Sequence, residues 1–119
     1  MDNASPPKPE LRREYRRQLQ VPLTAVDETG QRLDGRTADV SASGLGCVLS
    51  NQMLTGAVLL ISFSLPTRPG GQVVHARARV MYSMLQPGGF RTGLVWTEIA
   101  DETHQTIRAF ARPAAPLRL

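Results

Sequence analysis

Gln72-Val73-Val74-His75-Ala76-Arg77-Ala78-Arg79-Val80-Met81-Tyr82 decides the fold class. Apolar residues recur at every second position, with Val74, Ala76, Ala78, Val80 and Tyr82 on one face and His75, Arg77 and Arg79 on the other. A helical period would scatter the five apolar residues around a cylinder, whereas a strand places them on one side of a sheet. The segment therefore reads as a β-strand with one buried and one solvated face.

The same period extends outward in both directions. Ala57 to Leu65 sets Leu59, Ile61, Phe63 and Leu65 against Ser62 and Ser64. Leu45 to Leu49 and Gly35 to Val40 are short strand candidates. Val21 to Val26 is the first, with Pro22 near its start predicting an edge strand because proline cannot donate to a ladder. Downstream, Pro87-Gly88-Gly89 supplies a turn before Phe90 to Glu98, which carries Phe90, Leu94 and Trp96 on one face. All ten glycines lie between Gly30 and Gly93, where they punctuate short apolar segments as in a β protein with frequent turns. The last element changes period: Asp101 is the expected N-cap, Glu102 suits the positive end of the helix dipole, and Ile107 and Phe110 are spaced as on one helical face. The prediction is an all-β chain with a terminal helix, a six-stranded antiparallel barrel over 21–99 and a helix over 101–111 that ends before Pro113.

Length and composition narrow the class of function. A chain of 119 residues forms one domain with a single core, without the interdomain cleft of a larger enzyme. One cysteine, Cys47, excludes an internal disulfide and a cysteine-rich metal site. No apolar run is long enough to span a bilayer, and Met1 to Glu10 has no signal-peptide core, so the cytoplasm is the expected compartment. Both ends are proline-bearing and read as tails, 1–10 and 113–119.

Catalytic patterns are absent from the sequence. His75 sits on the solvated face of its strand and His104 in the first turn of the helix, neither with a nucleophile or carboxylate at dyad or triad spacing. Two distant histidines do not make a metal site. Cys47, in an apolar segment, reads as a small core residue. The reading is a non-enzyme without metal or cofactor.

Charge is concentrated. The formal net charge is +4, and the stretch from Lys8 to Arg17 alone carries +3. A lone basic run is commonly a solvated arm, but here it has internal spacing: Arg12-Arg13-Glu14-Tyr15-Arg16-Arg17 contains RxxxR as Arg12/Arg16 and as Arg13/Arg17. Guanidinium groups donate in pairs to phosphate oxygens or to guanine O6 and N7, and they stack on bases. A second constellation is Asp39-Val40-Ser41-Ala42-Ser43-Gly44, a DxSxxG pattern with the composition of a polar turn between strands. Asp39 is equipped to accept from the N1 and N2 donors of guanine and Ser41 to donate to a phosphate or base oxygen, while Gly44 permits a positive φ or a close backbone approach.

RxxxR before the first strand, followed by DxSxxG after the second, resembles the PilZ domain family of bacterial cyclic di-GMP receptors. The likeness extends over 11–112 and includes Val21-Pro22-Leu23, Gly44-Leu45-Gly46 and Phe90-Arg91-Thr92-Gly93-Leu94-Val95-Trp96 before the helix. It implies a six-stranded barrel with a C-terminal helix and a ligand held between an arginine-bearing loop, 11–20, and the barrel surface. Carried over by position, the implied ligand residues are Arg13 and Arg17, with Arg12 as the extra arginine that often precedes the pair, and Asp39, Ser41 and Gly44. Arg16 and Ser43 are possible additions; Arg16 stands where the family often has an aromatic residue, and the register Arg12/Arg16 stays open. Members with the extra arginine often take the ligand as an intercalated dimer. The resemblance implies a receptor that reorders its N-terminal arm on binding and signals to a separate, unidentified effector protein. Two other readings are a PilZ-like adaptor that binds protein and no nucleotide, and a basic barrel that binds RNA or single-stranded DNA. The second lacks the stacking aromatics usual at such surfaces, since Tyr15 is the aromatic near the arm and Tyr82 is predicted to face the core.

Overall fold

A computed structural model of the chain describes residues 14–113. Arg12, Arg13 and the proline-rich start lie outside the described residues, as do the last six positions. The elements are β1 (Arg16–Gln18), β2 (Pro22–Val26), β3 (Arg32–Ser41), β4 (Gly44–Leu49), β5 (Val58–Leu65), β6 (Gln72–Gln86), β7 (Gly89–Glu98) and α1 (Asp101–Ala111). Strands β3-β2-β5-β6-β7-β4 form an antiparallel sheet that closes through pairing of β4 with β3. The result is the predicted six-stranded barrel. Strand β1 is additional: its backbone pairs with β3 alone, antiparallel, within the stretch expected as a loop.

Closure abolishes free edges among the barrel strands, and this corrects the expectation for Pro22. Strand β2 pairs with β3 on one side and β5 on the other. Pro22 is tolerated because it is the first residue, opposite Arg36 in β3, while pairing with β5 begins only at Leu23 opposite Phe63.

The alternation read from the sequence defines the core. Leu59, Ile61, Phe63 and Leu65 of β5 and Val74, Ala76, Ala78 and Val80 of β6 are buried, together with Leu23, Ala25, Val40, Leu45, Cys47, Leu49 and Leu94. Tyr82 departs from the prediction and is 42% exposed. The register shifts between Val80, opposite Leu94, and Tyr82, opposite Gly93, so one extra residue in β6 reverses the facing of the residues beyond it. The Tyr82 ring lies across Gly93 on the outer surface.

The link from β1 to β2 is pinned by a buried side chain. Thr37 of β3 accepts from the Val21 N–H at 3.0 Å and donates to the Leu19 carbonyl. Backbone bonds from Leu19 N–H to Ala38 O at 3.0 Å and from Thr37 N–H to Val21 O at 2.9 Å flank it. The path of the chain into the barrel is thereby fixed, and with it the placement of β1.

Helix α1 packs against β3 and β1, with Ile107 fully buried in the barrel core and Phe110 against its rim. Its N-cap is Ala100, in extended conformation and without a side-chain cap; Asp101, predicted for that role, is the first helical residue. Asp101 and Glu102 therefore act as charges in the first turn, near the positive end of the dipole. His104 bonds through Nε2 to the Ala42 carbonyl at 2.7 Å, tying the helix to the β3–β4 turn.

Candidate functional site

Strand pairing brings the two sequence constellations into contact. In β1, Arg16 lies opposite Ser41 and Gln18 opposite Asp39. Successive residues of a strand face opposite sides, so the neighbouring arginines diverge. Arg16 donates from Nη2 to Asp39 Oδ1 at 2.8 Å and from Nη1 to Ser41 Oγ at 3.3 Å. Arg17 turns to the helix, where Nη1 donates to the Phe110 carbonyl at 3.0 Å and the guanidinium sits 4.1 Å from the centre of the Phe110 ring.

The DxSxxG segment differs from a simple turn. Asp39 and Ser41 belong to β3 and Gly44 opens β4, leaving Ala42-Ser43 as the connection. Ser41 is fully buried, and its hydroxyl accepts from the Gly44 N–H at 3.2 Å across the hairpin. Ser43 donates to Glu14 Oε2 at 2.6 Å, and Glu14 also lies 3.6 Å from Arg16 Nη1. Of the two reasons for glycine at position 44, close approach is the one realised: a Cβ there would overlap the Leu94 carbonyl oxygen of β7.

Asp39 is the hub. Its second oxygen, Oδ2, accepts from Arg91 Nη2 of β7 at 2.9 Å, so two arginines from opposite sides share one carboxylate. In the sequence Arg91 reads only as part of a strand. Nothing in a linear reading places it beside Asp39, because the contact runs through β4: Asp39 faces Gly46, and Gly46 faces Gly93, two residues along from Arg91. Trp96 likewise reads only as a strand residue, yet its indole N–H donates to the Ser41 carbonyl at 3.3 Å.

Between the β3–β4 turn and the helix lies a cleft of about 450 Å³ lined by Glu14, Ser43, Trp96, His104 and Arg108, among others. No group of acidic, histidine and cysteine side chains among the described residues could hold a metal ion. No helix among them is long and apolar enough to cross a membrane.

A closed barrel with a terminal helix, carrying an arginine–aspartate–serine cluster on the outer face of β3, defines a small β-barrel domain with a polar surface site. The PilZ domain model matches residues 10–112, and the chain belongs to that family. Comparison with curated protein sequences finds no match. Among solved structures, the inhibitor of motility MotI/DgrA of Bacillus subtilis is similar at TM-score 0.73 and 19% identity, covering 83% of this chain and 48% of that one. This chain thus spans about half the length of MotI/DgrA. The PilZ domain of YcgR from Escherichia coli, with c-di-GMP, is similar at TM-score 0.65 and 14% identity, over 83% of this chain and 87% of that one. The PilZ domain of CeSA from a cellulose-synthesising bacterium is similar at TM-score 0.60 and 18% identity, over 82% of this chain and 94% of that one.

Proposed function

We propose that the protein is a cyclic di-GMP receptor whose N-terminal arginine segment changes conformation on binding and signals to a separate partner protein. The observation that carries the reading is the position of Arg16 on Asp39 and Ser41, which unites the basic segment and the DxSxxG residues in one surface site of a PilZ domain. The chemistry suits the ligand: arginines neutralise two phosphates and stack on purines, and Asp39 accepts from the donor edge that separates guanine from adenine. Arg12, Arg13 and Arg17, with Arg16 as a further donor, are assigned to the ligand from one side; Asp39, Ser41 and Gly44 form the other, with Ser43 at the turn. A conformational response is in keeping with β1, three exposed residues with a ladder to one neighbouring strand and a side-chain tie from Arg17 to the helix. No catalytic step is part of this reading.

Calorimetry of the full chain with cyclic di-GMP, and with cyclic di-AMP and GTP as controls, tests it. Binding at micromolar ligand or below is expected, selective over both controls, and weakened roughly tenfold or more by Arg13→Ala or Arg17→Ala as charge-assisted hydrogen bonds are lost. Absence of wild-type binding at micromolar ligand overturns the receptor reading.

A further inference from the structure

The two arginines on Asp39 are unequal. Arg91 stands on β7, an interior strand of the closed barrel paired with both β4 and β6. Its side chain is 33% exposed, and its guanidinium lies with the Asp39 carboxylate over Gly46: a Cβ on Gly46 would come within 2.9 Å of Arg91 Nη2 and 2.9 Å of Asp39 Oδ1. Glycine at 46 leaves that spot open to the two side-chain ends, which a Cβ would displace. Arg16 stands on β1, outside the barrel closure, with 48% of its side chain exposed. A three-residue strand with a ladder on one side opens more readily than a strand paired on both sides inside a closed barrel.

Arg16 also presents a particular pattern. Its two Nη groups donate side by side, one to Asp39 Oδ1 and one to Ser41 Oγ. The N1–H and N2–H groups of guanine form a comparable pair of adjacent donors.

Resting on the receptor reading, we propose that Arg91 is the positioning residue that sets guanine specificity. It holds Asp39 Oδ2 and so aims Oδ1 outward as the carboxylate's exchangeable acceptor beside Ser41 Oγ, and Arg16 occupies both until guanine displaces it. Removing Arg91 frees the carboxylate to rotate, and Arg16 then engages both oxygens as a bidentate fork. The incoming base loses a fixed acceptor and meets a stronger internal competitor. The coupling is mutual, since Arg91 Nε is buried and without a partner among the described residues, leaving the bond to Asp39 as the tether of that guanidinium.

The test compares cyclic di-GMP with cyclic di-IMP, which lacks the N2 amino group, on wild type, Arg91→Met and Arg91→Lys, with melting curves for each. Wild type is expected to prefer cyclic di-GMP. In Arg91→Met, affinity for cyclic di-GMP falls roughly tenfold or more, and the preference over cyclic di-IMP collapses towards unity. Arg91→Lys, which still donates to Oδ2, restores the preference. Equal weakening of both ligands in Arg91→Met, or an Arg91→Lys protein that discriminates no better than Arg91→Met, overturns the assignment while leaving the receptor reading intact. Wild-type protein that binds neither ligand overturns both. Arginine side-chain NMR of the wild-type chain provides the test without a substitution: Arg16 signals shift saturably with ligand while the Arg91–Asp39 contact persists, and loss of that contact on binding refutes the proposal.

Discussion

Arg17 closes the C-terminal end of α1 by its contact with Phe110, donating to that residue's carbonyl and lying over its ring. A cation at the negative end of a helix, bonded to one of its last carbonyls, stabilises both the terminus and the strand it comes from. The arm and the helix, 93 residues apart in the chain, are therefore one mechanical unit in this conformation. Recruitment of Arg17 by an anionic ligand would break that unit.

Arg17→Ala is accordingly expected to lower stability by about 1 kcal/mol, from the helix-end and cation–π contributions together. Hydrogen exchange should locate the loss in the last turn of α1, near the Arg112 N–H that bonds to the Arg108 carbonyl. Added cyclic di-GMP should increase exchange at the same amides in the wild-type protein. Unchanged exchange there would show that Arg17 keeps its place on the helix in both states.

Gly44→Ala is expected to be severe, because the added methyl meets backbone: the Leu94 carbonyl of the neighbouring strand cannot yield without opening the β4–β7 ladder. A loss of about 3 kcal/mol or more is expected, in the range of disruptive core overpacking. Gly70→Ala is the matched control, since a Cβ there meets nothing within 4 Å, and its effect should stay within about 0.5 kcal/mol. Urea denaturation of the two variants measures the difference.

Cys47 provides a pH-dependent signature. Burial pushes its thiol up to about 12 from an ordinary 9.0, with Arg91 opposing and Asp39 adding to the shift. A folded-state value above the unfolded one favours the neutral thiol, so this contribution is complete below pH 9.0 and is lost as pH rises towards 12. The stability difference between wild type and Cys47→Ala should shrink over that interval. At about pH 8 the native protein should resist a thiol-labelling reagent and take up one equivalent when unfolded.

Trp96, the single tryptophan of the chain, donates to the carbonyl of Ser41. Its fluorescence should therefore change saturably as cyclic di-GMP is added, and Asp39→Asn should abolish the response at the same ligand concentration. A wild-type titration that shows binding by calorimetry without a change in Trp96 emission would mean that the β3–β4 hairpin does not move.

Much of the architecture was legible because burial imposes its period on the sequence. Leu59, Ile61, Phe63 and Leu65 declared their common face, and the shift of spacing at Ile107 and Phe110 declared the helix. Asp39, Ser41 and Gly44 were legible as a segment because their spacing is local, and the family likeness gave that segment a meaning. Tyr82 escaped because a bulge inserts one residue into β6 without any mark in the period before it. Pro22 escaped because closure, which removes the edges, depends on strands far apart in the chain.

The sequence by itself determined the six strands and the helix, the apolar face of most of them, and the membership of arginine, aspartate, serine and glycine in two short motifs. These depend on nearest neighbours along the chain, where side-chain alternation and turn chemistry act. Only the tertiary structure decided that Arg16 and Arg17 part company on either side of a short strand, that Asp39 is shared between Arg16 and Arg91, and that glycine at 44 and 46 serves close approach. Those relations are set by strand register across the barrel closure, in which residues 52 positions apart meet because the backbone ladders between them leave no other alignment.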